Sequence, residues 1–160
     1  MNGHGIELME KVRQQLDEST ALFAALDDAH LSKPCPNENG DATGTVATAA
    51  AHLAEGYTRL GRFLHSTGYV AAYPAADQGH AHGDGHRHAP APTAVADVLE
   101  LLHRAEQPVA LLGDLTDKQL DSVPAKANRF TDGNRTLRQV INEMASHQAA
   151  HLAAIKQVLA

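Results

Sequence analysis

Apolar residues recur at helical spacing in four stretches of this chain, separated by segments rich in Gly, Pro and Asn. The first, over about residues 6–30, lines Leu8, Val12, Leu16, Leu22, Phe23 and Leu26 along one broad face. The second opens at Thr43 or Thr45, either of which can cap free amides, and runs to about residue 65. Its stripe is Val46, Ala49, Ala50, Leu53, Tyr57, Leu60 and Leu64. The third covers about residues 93–112 with Val95, Val98, Leu99, Leu102, Ala105 and Val109 inward, and Pro108 predicts a kink or early stop near its end. The fourth, capped by Asn134 or Thr131, turns Leu137, Val140, Ile141, Met144, Ile155 and Val158 toward a core. The connection over 113–133 holds a short turn at 116–120 and an extended piece at 127–130. The pattern predicts one all-α domain over residues 1–160, a four-helix bundle whose long connections permit crossovers.

Composition fits close-packed helices: alanine is abundant, aromatic residues make up 4%, and Trp is absent. A formal charge of −6 argues against a nucleic-acid partner or an anionic membrane surface, both of which select basic patches. No apolar run approaches the roughly 20 residues of a membrane span, and the N-terminus lacks a signal peptide's apolar centre. A single cysteine excludes an internal disulfide framework. The expectation is a cytoplasmic protein.

Histidines carry the chemistry. His147 and His151 follow Met144 by three and seven residues, continuing the inward face of the fourth helix. Four-residue spacing sets both imidazoles on one side, one turn apart, able to grip one ion. Two neighbouring imidazoles in an apolar core would otherwise cost desolvation with little return. A third ligand must come from another helix, and His52, at the edge of the second stripe, is the candidate. Three neutral imidazoles leave positions open for water or substrate, as in reactive sites, and suit Zn, Ni, Cu or Fe(II). The ordinary alternative is that each histidine is packed or partly exposed without a ligand role, and Tyr57 is assigned to packing.

With the segments 46–54 (Val-Ala-Thr-Ala-Ala-Ala-His-Leu-Ala) and 146–151 (Ser-His-Gln-Ala-Ala-His), set about 95 residues apart from His52 to His147, the chain resembles the DinB-like family of four-helix bundles. This group includes thiol-dependent transferases and mycothiol-dependent maleylpyruvate isomerases. The resemblance covers nearly the whole chain and rests on arrangement, since His-x-x-x-His is a degenerate motif. It implies a crossover topology, a metal held by His52, His147 and His151, and a homodimer. It further implies that the metal lowers the pKa of a small thiol, which then attacks an electrophilic small-molecule substrate.

Two features depart from that pattern. Within the loop at about 69–92 lies Gly-His-Ala-His-Gly-Asp-Gly-His-Arg-His over 79–88, where His80, His82, His86 and His88 form a secondary metal-binding candidate. It reads either as an arm feeding the bundle site or as a solvated loop. Cys35, between Pro34 and Pro36, is a candidate fourth ligand or nucleophile; a thiol that is merely packed or exposed is the commoner fate of a lone loop cysteine. Glu55 and Arg59 read as substrate-handling groups or as a solvated i, i+4 pair. The leading expectation is a metalloenzyme activating a thiol or water for transfer, isomerisation or hydrolysis. The rival is a non-catalytic metal buffer, sensor or delivery protein working through the His-rich loop. A hemerythrin-like oxygen carrier is disfavoured because the core offers too few histidine and carboxylate pairs.

Overall fold

The computed structural model describes residues 3–36, 44–71, 73 and 91–160, and among them the chain is all-α, without strands. The long helices are α1 (Gly3–Ala24), α2 (Val46–Ser66) and α6 (Leu137–Leu159). Between the last two come α3 (Val95–Arg104), α4 (Glu106–Leu111) and the short α5 (Asp117–Asp121).

Local chemistry sets these bounds. α1 stops at Ala24, short of the residue 30 that its apolar face suggests. Asp27 instead opens a 3-10 turn at Asp28–Ser32, accepting from the His30 amide while the His30 ring accepts from the Asp27 amide. Thr45 caps α2 in a capping box with Thr48, as its position in the sequence suggests. The third predicted helix is broken in two at Ala105. Pro108 has no N–H to give the carbonyl four residues back, that of Arg104, so the α-helical ladder ends there. α3 lacks a side-chain cap of its own, and Asp28 supplies one from across the fold, accepting from the Val95 amide at 2.8 Å. α6 is capped by Thr136 with Gln139, not by Asn134 or Thr131. Residues 127–130 form a turn and not an extended piece.

α2 packs against α6 on one side and against α3 and α4 on the other. α1 packs on α3, α4 and the 3-10 turn Leu112–Asp114, and meets α6 more lightly. The first two long helices therefore share their neighbours. One continuous apolar cluster runs through all of them, from Val12 and Phe23 through Leu53, Leu64 and Leu102 to Ile141 and Ile155. No helix among the described residues is long and apolar enough to cross a membrane.

Polar groups inside this core are satisfied. The Tyr57 hydroxyl donates to Gln15 Oε1 at 2.7 Å, and Gln15 Nε2 donates to the Ala145 carbonyl at 3.1 Å, so one side chain of α1 links α2 to α6. Burial pushes the Tyr57 phenol well above its ordinary pKa, with a bond to Ser19 opposing, so the phenol stays a neutral donor.

Candidate metal centre

α6 seats itself differently from the hydropathy pattern. Ala145, Gln148 and Leu152 are buried with Leu137, Val140, Ile141 and Ile155, whereas Met144 and Val158 are only partly so. This rotation of the buried face follows from a close approach of α2. Gly56 leaves room for the Gln148 carboxamide, into which a Cβ at position 56 would project. The carboxamide then donates to the Leu53 carbonyl on α2. A polar side chain thus joins the two helices, with His147 preceding Gln148 on α6 and His52 preceding Leu53 on α2.

This junction leaves His52, His147 and His151 half-buried at the edge of the seam, where solvent and core meet. His147 and His151 lie with Nε2 atoms 3.0 Å apart and ring centroids 4.5 Å apart at 81°. Two imidazole nitrogens bound to one ion at about 2.0–2.1 Å are separated by about 2.9 Å at a right angle and about 3.3 Å in a tetrahedron. The pair therefore fits two adjacent positions of a divalent ion without backbone movement. With no ion, the same distance suits one ring donating to the other.

His52 stacks nearly parallel to His151, at 16° and 6.5 Å between centroids. Rings sharing one ion at adjacent positions have centroids about 4.5–5 Å apart, so His52 reaches a common ion only after turning its side chain. Among the described residues, no three His, Cys, Asp or Glu side chains already converge on one point. Cys35 is packed into the apolar core at 3% exposure, its amide donating to the Gly44 carbonyl at 2.8 Å, and burial pushes its thiol pKa up. That environment disfavours the thiolate a nucleophile or ligand requires. Glu55 pairs with Arg59 at 3.1 Å on the exposed side of α2, the solvated i, i+4 arrangement. His80, His82, His86 and His88 lie outside the described residues.

No family model, curated protein or solved structure matches this chain.

Three further residues border the pair that sequence periodicity does not single out. Gln148 fixes the register of α6 on α2. Phe130 meets the His147 ring edge-on at 5.8 Å, and Arg129 lies 4.9 Å over the Phe130 ring. Arg129 Nη2 comes within 2.9 Å of His147 Nδ1 and 2.8 Å of Nε2. The segment bearing them is tightly stapled: Thr131 Oγ1 accepts from the amides of Ala127 and Asn128, at 2.7 and 2.9 Å, and Asn128 Oδ1 accepts from Phe130 N. Asp132 accepts from Asn134 and Arg135, bonds that hold its carboxyl below the usual carboxylate range, and Gly133 takes the positive φ of 81° that ends the turn. The Asn-x-x-Thr and Asp-Gly-Asn strings were the visible signals of this turn, but nothing in them points at His147.

Proposed function

We propose that this chain is a divalent-metal-binding helical protein of DinB-like type, with its centre at His147 and His151 and His52 as the third ligand. The single observation that carries the reading is the 3.0 Å approach of the two Nε2 atoms across one turn of α6. The fold reading has support from α1, α2, α3–α4 and α6, four helical stretches around one core, which suits a four-helix bundle with crossover connections. A divalent ion held there supplies Lewis acidity that lowers the pKa of a thiol or a water at its open position.

The chain's own residues prepare that chemistry in three ways. The Gln148–Leu53 bond holds α6 against α2, keeping His52 one side-chain rotation from the pair. Phe130 packs against one edge of the His147 ring and limits its rotation. The half-buried setting leaves one side of the imidazoles open to a small substrate. The class of reaction is transfer, isomerisation or hydrolysis with a low-molecular-weight thiol or water as nucleophile, and a second copy of the chain is the expected partner.

Elemental analysis of untagged protein tests the reading. It predicts about one divalent ion per chain, lost in His147→Ala/His151→Ala, weakened in His52→Ala and kept when residues 79–88 are deleted. Metal that survives the helix substitutions and disappears with the loop would overturn it in favour of a buffer or delivery protein.

A further inference from the structure

We propose that a second copy of this chain docks over the groove between α1 and α6, turned end for end so that α1 lies on α1 and α6 on α6; this rests on the expectation above that the partner is a second copy, and not on the metal. Lys11 reaches Asn142, Gln15 reaches the Ala145 carbonyl and Glu18 reaches Lys156, so contacts advance in step along both helices and the two run parallel. Between them lies a groove of about 270 Å³ with Ala149 and Ala153 in its wall. Ser146, Ala150 and Ala153 on the outer side of α6 are exposed and short, so a helix laid there can approach closely.

The charges around the groove select the occupant. At the end where both helices begin, α1 contributes Lys11 and α6 contributes the exposed Glu143, next to Asn142. At the other end α1 contributes Glu18 and α6 contributes Lys156. Each end therefore holds one cation and one anion, in opposite order on the two helices. Two cations against two anions attract neither an acidic nor a basic partner, but the arrangement complements its own inverse, as an isologous interface demands. Turned end for end, Lys11 meets the second copy's Glu18 and Glu143 meets its Lys156, and the two-fold repeats both pairs. The same register sets Gln14 against Gln15, Ser146 against Ala153 and Ala149 against Ala150. Glu18 and Lys156 are 52% and 44% exposed, so their bond within the chain leaves both open to sharing. The inversion also lays antiparallel helices over a parallel pair whose dipoles are aligned. With α1 at 22 residues and α6 at 23, the face is about 33 Å long and about 20 Å wide, on the order of the ~800 Å² per partner of a stable dimer.

The test is sedimentation equilibrium of the full chain at low salt, from about 1 to about 100 μM. Wild type, Ala150→Arg, Glu143→Lys, Lys156→Glu and an equimolar mixture of the last two are compared, and circular dichroism establishes that each is folded. Docking on this face predicts a wild-type dimer that Ala150→Arg abolishes. Each charge variant alone sets like charges together twice and should weaken the dimer about tenfold or more. Their mixture should recover it to within about threefold of wild type, because each introduced charge then meets its opposite on the other chain. A wild type that stays monomeric at about 100 μM overturns both this face and the expectation of a second copy. A dimer indifferent to Ala150→Arg and to the charge variants overturns the face and leaves that expectation standing. A mixture no tighter than its separate components overturns the end-for-end register.

Discussion

α6 has two seams, and they are made in opposite ways. Against α2 it is close: Gly56 has no side chain, Ala50, Ala54 and Ala145 are small and buried, and Gln148 bonds directly to backbone. Against α1 it stands off, and long polar side chains span the gap. Lys11 reaches Asn142 at 3.1 Å, Gln15 reaches the Ala145 carbonyl, and Lys156 pairs with Glu18. A groove of about 270 Å³ opens there, lined by Lys11, Gln14, Glu18, Ala149, Ala153 and Lys156 among others. The α2 seam carries all three histidines. Close backbone packing fixes geometry, whereas long side chains fix little, so the candidate centre sits where the fold is least adjustable.

The sharpest way to break this contrast is at Gly56. A glycine replaced in a helix usually gains about 0.5–1 kcal/mol in propensity, but here any Cβ meets the Gln148 carboxamide. Overpacking wins, and Gly56→Val should lower stability by about 3 kcal/mol in urea denaturation while weakening metal binding. An unchanged midpoint would mean the seam is loose.

Next in size is Gln148→Ala. It removes the bond to Leu53 and leaves a void beside Gly56, for a loss of about 2 kcal/mol. Because the same bond sets α6 on α2, the metal affinity of His52-containing protein should fall toward that of His52→Ala. A stability loss with affinity untouched would separate the seam from the site.

Gln148 also shows how much the sequence discloses. The helical stretches, the Thr45 cap and the break at Pro108 were legible because periodicity and capping are local. The two histidines on one face of α6 were legible for the same reason. The rotation of that face was not: a buried glutamine counts as polar, and only its partner carbonyl on α2, far away in sequence, makes its burial favourable. The end of α1 was misplaced because apolar positions continue to Leu26, while the Asp27–His30 capping box that starts the next turn overrides them. Arg129 was out of reach altogether. Its approach to His147 depends on a turn meeting a helix 18 residues later, a contact set by tertiary packing.

On the other seam the effects should shrink and leave the metal alone. Tyr57→Phe deletes the donor to Gln15 Oε1 but spares the Gln15 bond to Ala145. The expected loss is about 1 kcal/mol, with cobalt affinity unchanged. Coupling between Tyr57→Phe and metal binding would show that α1 helps to set the centre after all.

The smallest effect belongs to Lys156 and Glu18. Their side chains are 44% and 52% exposed, so water competes for both charges and each loses rotamer freedom in pairing. Lys156→Ala should therefore change stability by no more than about 0.5 kcal/mol, and the difference from wild type should vanish in about 0.5 M salt. A double-mutant cycle with Glu18→Ala isolates the pair from any change in helix propensity. A coupling energy well above 1 kcal/mol, or one that persists at high salt, would show that the pair is shielded and that this seam is clamped as firmly as its opposite. Coupling near zero leaves α6 held by α2, with α1 tethered alongside by flexible groups, which is the asymmetry that allows one face of the helix to carry fixed ligands.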